Sequence, residues 1–138
     1  MRTPAFFLAL SIAAVGPAIA QDHVHEQGAP GGLGTVVFPN SGKAAAQADF
    51  IRGVAHLHSF GYRDAAIAFR AAAKADPGFA LAYWMEALTH RHQLWGREDL
   101  AAAKLALLPL GSSSQARIAR AKTPRERAWG GAVEALFA

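Results

Sequence analysis

Ala46, Phe50, Gly53, Val54 and Leu57 stand at i, i+4, i+7, i+8 and i+11, the spacing that lays one apolar stripe along one face of an α-helix. Upstream, Asn40 or Ser41 in "NSGKAAAQADFIRG" is the expected N-cap, because a short oxygen-bearing side chain can accept from the first unpaired backbone N–H groups. Residues 59–62 read as a turn. "RDAAIAFRAAAKA" (63–75) is the next helix, rich in the strongest helix former. Asp76, Pro77 and Gly78 end it, since proline cannot continue the hydrogen-bond ladder. "FALAYWMEALTHRH" (79–92) is predicted as a third helix and "REDLAAAKLALL" (97–108) as a fourth, stopped by Pro109 and Gly111. A shorter helix is expected over residues 112–122. In "TPRE" (123–126) Thr123 caps, Pro124 takes the first helical position and Glu126 is the reciprocal acid, so a last helix begins there. No strand pair or hairpin signal is found, and the predicted fold class is all-α, built from antiparallel helix pairs.

The N-terminal third has no such rhythm. "MRTPAFFLALSIAAVGPAIA" has one arginine, a short apolar run and an Ala-x-Ala ending at Ala20, the pattern of a secretory signal peptide over residues 1–20. The run is too short, and too broken by Gly16 and Pro17, to span a bilayer comfortably. Export to the periplasm or beyond is therefore expected, with no stable membrane span after cleavage. Residues 21–40 read as a flexible leader ending in "TVVFP", which is either a stub of extended chain or a segment tucked against the first helix. Residues 41–138 are the helical domain. The chain has no cysteine, which excludes disulfides and thiolate metal sites and leaves stability to packing. The net charge is +4, and Arg117, Arg120, Lys122, Arg125 and Arg127 crowd the C-terminal end beside Glu126 alone. Export favours a solvated helix face, or a surface for an acidic partner or lipid headgroups, over nucleic acid.

His56 and His90 are 34 residues apart, as are His58 and His92. A period of 34 over helix-turn-helix units is that of tetratricopeptide repeats. Gly53 then fills the small site where paired helices approach, Ala65, Phe69 and Ala72 follow on the second helix, and Pro77 terminates the unit. In the second unit Tyr83, Ala87 and His90 take the corresponding places, Lys104 replaces the core phenylalanine, and Pro109 arrives early. Ala128, Trp129 and Phe137 look like the opening of a third unit. "VVFPNSG", "FIRGVAHLHSFGYRDAAIAFR", "DPGFALAYWMEALTHRHQLW" and "TPRERAWGGAVEAL" together resemble a family of exported bacterial tetratricopeptide-repeat proteins, over about residues 34–137. The resemblance implies a TPR-like superhelical array of about two repeats plus the start of a third, akin to the N-terminal part of a longer repeat protein. It implies a scaffold and no reaction.

The resemblance also implies a concave face made by the first helix of each unit: Phe50, Val54, Leu57, Leu81, Trp84, Met85 and Leu88, with His58, Arg91 and His92 at one end. So apolar a stripe is either core or, if open, a groove for another protein or peptide of the cell envelope. The histidines suggest metal less than they first do. Residues two apart sit about 200° apart around a helix, so His56 and His58 cannot grip one ion, and a helical pair needs i, i+3 or i, i+4. Across repeats His56 could face His90, though each site would want further ligands. His23, third after cleavage at Ala20, with His25 nearby, could join the free amine in a square-planar Cu(II) or Ni(II) site unless Gln21 cyclises. No phosphate loop, dinucleotide fingerprint or nucleophile elbow occurs, so no cofactor and no catalysis are expected. Two such repeats bury little surface; self-association or further repeats would supply more. The function expected from sequence is a non-catalytic scaffolding module, with a periplasmic metal-binding protein as the alternative.

Overall fold

The computed structural model describes residues 32–138; the signal-peptide reading, most of the leader, and His23 and His25 lie outside them. Among the described residues there are six α-helices: α1 (Ala44–His58), α2 (Tyr62–Ala75), α3 (Ala80–Leu88), α4 (Leu100–Leu107), α5 (Ser114–Ile118) and α6 (Pro124–Leu136). Two two-residue strands, β1 (Arg91–His92) and β2 (Arg97–Glu98), pair antiparallel between α3 and α4. The molecule is essentially all-α. Helices α1, α3 and α6 run in one direction, and α2 and α4 return between them. Glu126, in the first turn of α6, meets Ser41 just before α1, and Arg91, just after α3, meets the Leu136 carbonyl at the far end of α6.

The core lies where these helices meet. Phe50, Phe69, Phe79, Leu81, Trp84 and Met85 are almost wholly inaccessible to solvent. The Phe50 ring sits 4.7 Å from Phe79 and 5.6 Å from Phe69, both tilted, within the range aromatic pairs favour. Two glycines make room for rings. A Cβ on Gly53 would come within 2.6 Å of Phe69 Cε1, and one on Gly130 would clash with the edge of the Trp84 ring at Cζ2 and Cη2. The 36–38 segment has no helix or strand, and its burial alternates from residue to residue. Val36 and Phe38 pack on the core while Val37 is 85% exposed. Phe38 meets Phe50 edge-on at 5.7 Å and Trp129 at 6.0 Å. "TVVFP" thus tucks against both α1 and α6.

Several local expectations are corrected. Neither Asn40 nor Ser41 caps α1. The N-cap is Lys43, and its N–H donates to Asp76 Oδ2 (2.9 Å), a carboxylate from the α2–α3 turn. Asp76 also accepts from Gly78 N (3.2 Å), so one buried acid fixes its own turn and the start of α1. Helix α3 stops at Leu88 rather than running to His92. The Thr89 hydroxyl donates to the Glu86 carbonyl (2.7 Å), and the residues beyond it bring no further apolar stripe to bury. The β1–β2 ribbon follows, although a period of two cannot register in two-residue strands. Thr123 does cap α6, its Oγ1 accepting from Glu126 N (3.2 Å). The Glu126 carboxylate does not close the box; it accepts instead from Ser41 N and Oγ, both at 2.7 Å. The place expected for Lys104 is taken by Ala103, which is buried, while Lys104 points to solvent.

Candidate functional site

The two connections at one end of the helices build the most distinctive surface. Helix α1 ends in a tight cap: Gly61 N–H donates to the His56 carbonyl (2.8 Å) and Phe60 N–H to the Leu57 carbonyl (3.2 Å). Such a cap needs one residue in the left-handed region, normally glycine. Here that residue is Phe60, at φ 60°, while Gly61 beside it keeps an ordinary φ of −78°. A bulky side chain at positive φ costs about 1–2 kcal/mol, and Phe60 recovers little of this by burial, being 52% exposed. The ring packs instead against Tyr62 and Trp95 at the surface.

The second connection supplies the rest. Register pairs Arg91 with Glu98 and His92 with Arg97, and Gly96, at φ 58°, turns the chain between them. The turn lifts Leu94 and Trp95 into solvent at 69% and 57% exposure. The Tyr62 ring stacks on His92 (centroids 4.1 Å apart, 18° between planes), and Trp95 meets both Phe60 (5.8 Å) and Tyr62 (5.9 Å) edge-on. His92 Nε2 lies 3.0 Å from the Thr89 carbonyl; a carbonyl only accepts, so this nitrogen carries the proton. Rings from both connections therefore brace one another. Between them lies an open cleft of about 280 Å³, floored by Leu57 and Leu88 and edged by Phe60, Tyr62, Arg91, Gln93 and Leu94.

The residues expected on a concave face divide sharply. Leu57, Leu88 and Arg91 line this cleft, His92 braces it from behind through Tyr62, and His58 is exposed at the end of α1. Phe50, Val54, Leu81, Trp84 and Met85 are core instead. The reason is α6 and the 36–38 segment: Gly130 lets α6 close over Trp84, and Phe38 closes over Phe50. Trp84 is held further by its Nε1–H, which donates to Glu134 Oε1 (3.1 Å). Sequence reasoning missed Phe60, Leu94 and Trp95. No periodic signal separates an exposed loop aromatic from a buried one. The placement of Phe60 beside a glycine, in the turn that ends a helix, was the one clue present.

The histidines do not converge. His56 is half-buried beneath Gly61, His58 faces solvent, and His92 is occupied by Tyr62 and Thr89. His90 borders a shallow hollow with Arg97, Glu98 and Asp99, and burial holds its pKa below the ordinary 6.5 against the pull of Glu86 and Asp99. Among the described residues no group of three or more histidines and carboxylates is placed to hold a metal ion. The C-terminal cations are mostly engaged. Arg117 pairs with Glu134 (Nε–Oε1 2.7 Å) and donates to the Gly111 carbonyl. Arg125 donates to the Pro39 carbonyl over the Phe38 ring, and Arg127 donates to the Ala121 carbonyl. Neither family models, characterised proteins nor solved structures yield a match to the chain.

Proposed function

We propose that the protein is an exported, non-catalytic binding module of the cell envelope. On this reading it is a short tetratricopeptide-like array whose cleft at the α1–α2 and α3–α4 connections receives a large apolar side chain from another protein. The observation that carries the reading is Phe60, a bulky ring kept exposed in a backbone conformation that glycine would adopt more cheaply. The cleft beside it has apolar flooring and room for one or two large side chains. Arg91 at its wall adds a donor for a backbone carbonyl or carboxylate of the incoming segment. Large residues anchored in a desolvated pocket dominate many protein interfaces, and Trp, Tyr and Arg are enriched at them. The array reading rests on the 34-residue spacing, the glycine under Phe69 and the alternating directions of α1 to α4.

The test separates binding from folding. Phe60→Gly should raise stability by about 1 kcal/mol, because glycine enters the left-handed region without steric cost. The same change should abolish partner capture. A photo-reactive phenylalanine at Trp95, in the chain expressed in its own envelope, should give one discrete cross-linked protein. That product should be absent with Phe60→Gly and absent when the probe stands at Lys74. A cross-link that survives Phe60→Gly, or that forms equally from Lys74, would refute the cleft as the binding site.

A further inference from the structure

The opposite end of the helices carries a different signal. Helix α1 has 15 residues, so its start lies about 20 Å from the cleft. Around that start gather the 36–43 segment, the end of α2, the α2–α3 turn and the first turn of α6. Lys43, Lys74, Arg120, Lys122, Arg125 and Arg127 are all exposed there. Lys43 and Lys122 share one partner, and the others are placed by the elements that carry them. The Lys43 and Lys122 ammoniums lie 3.9 and 3.7 Å from the two oxygens of Asp76. Lys122 also reaches the Ser41 carbonyl (3.4 Å), and Arg125 the Pro39 carbonyl (3.2 Å). Arg120 is within Coulombic reach of Tyr83, whose hydroxyl donates to the Pro77 carbonyl of the same turn (3.4 Å). Lys74 is in the last turn of α2.

The acids of this region are hidden. Asp76 and Glu126 are the carboxylates in residues 32–48, 74–85 and 111–131, and both are buried, Asp76 beneath Lys43 and Lys122 and Glu126 against Ser41. Glu86, at the border near Tyr83, is buried too and paired with Arg70. Six positive charges therefore face solvent with no exposed negative charge among them. Elsewhere on the described surface, arginines such as Arg52, Arg70 and Arg91 pair with Asp49, Glu86 and Glu98. The most exposed large apolar side chain of residues 32–48 is Val37, two residues before Pro39, whose carbonyl Arg125 reaches. Phe38 and Tyr83 are half-buried, so no exposed ring offers the stacking platform that single-stranded nucleic acid uses.

We propose that this end docks on the anionic headgroups of a lipid bilayer, with Val37 entering the interface and the cleft held outward for its partner. It is a peripheral attachment: among the described residues no helix is long and apolar enough to cross a membrane. The attraction is electrostatic and so must fall with salt. It is independent of the cleft, and either proposal can fail alone.

The experiment is co-sedimentation of the chain with vesicles of phosphatidylglycerol and phosphatidylcholine (about 30:70) at about 0.1 M salt, where the Debye length is about 10 Å. Binding is expected to these vesicles, not to phosphatidylcholine alone, and to be lost near 1 M salt. Each cation near a charged surface changes partitioning by about fivefold, so K74E with R120E should weaken it by at least about 25-fold. Neither side chain makes an ion pair or hydrogen bond among the described residues, and a melting curve checks that the variant is folded; K74Q with R120Q serves if it is not. Equal binding to neutral vesicles, or full binding by the folded double variant, would overturn the proposal. Tighter binding to duplex DNA than to the anionic vesicles would overturn it in favour of a nucleic-acid surface.

Discussion

Helices α1 and α2 are joined by three residues, and helices α3 and α4 by the eleven from Thr89 to Asp99. The contrast runs through everything between. In the first pair Phe69 lies against Gly53, and Ala46, Phe50, Val54, Ala65 and Ala72 are buried along the seam. In the second pair alanine stands at both corresponding places, Ala87 and Ala103, and α4 buries only Ala103 and Leu107 of its own residues. Helix α3 is buried on almost every side, yet by different neighbours: α2, α4 and α6 each take a face. The first pair interlocks through its own side chains, with its chain neighbours Phe38 and Phe79 packing on Phe50. The second is closed by an element far along the chain, which is why its connection is free to grow into a ribbon that carries Leu94 and Trp95 outward.

If the first pair depends mainly on its own interlock, that interlock should be the costliest place to cut. Phe69→Ala is expected to lose about 3–5 kcal/mol, the usual cost of emptying a buried ring, read as a shift in the urea midpoint at constant slope. The counterpart, Ala103→Gly, should lose only about 1 kcal/mol, most of it helix propensity. Equal losses at the two positions would erase the distinction between the pairs.

The second pair should fail through α6 instead. Arg117 and Glu134 form a half-buried bidentate pair that also receives Trp84 Nε1–H. Arg117→Ala strands the carboxylate, and breaking buried pairs costs about 3 kcal/mol or more. Acid should act in the same direction. The Lys43 backbone N–H, with lesser help from Lys122, Gly78 and Lys43 Nζ, outweighs burial and holds Asp76 below its ordinary 3.8. Burial pushes Glu134 up, but Arg117 and Trp84 outweigh it and leave the net value below 4.5. Groups with depressed folded pKa values release protons on folding, so their stabilisation is present above those ordinary values and lost as pH falls through the depressed ones. His90, depressed below 6.5 by burial, adds a term of the same sign that begins below that pH. The melting temperature should hold steady near pH 7 to 8, decline gently below 6.5, and fall steeply below about 4. In Arg117→Ala the steep part should weaken, because Glu134 then loses the partner that kept it ionised.

Much of this was legible in advance, for reasons particular residues make plain. The stripe Ala46–Phe50–Val54, the breaker at Pro77 and the Thr123–Pro124 start each act locally, so sequence displays them. The capping of α1 by Asp76, and the diversion of Glu126 to Ser41, join positions 33 and 85 residues apart, and no local pattern announces such partners. The stripe on the first helices could be read from sequence as core or as an open groove, and what decides for core at Trp84 and Phe50 lies far along the chain. Nothing in the spacing of Trp84 tells that Gly130 will let another helix cover it. What sequence could not place, in each case, was the third body.

The smallest effect is the one that most directly questions the outer face of α4. Leu105 is 64% exposed there, with Leu108 beside the helix end at 57%. Leucine and glutamine have similar helix propensity, and exposed substitutions away from special features change stability by no more than about 0.5 kcal/mol. Leu105→Gln should therefore leave the urea midpoint where it was, at every protein concentration. A loss above about 1 kcal/mol that grows with concentration would mean that a second copy covers this face, since anything that binds only the folded chain stabilises it by mass action. The second pair would then be completed from outside as well, and its apparent looseness would belong to the isolated chain alone.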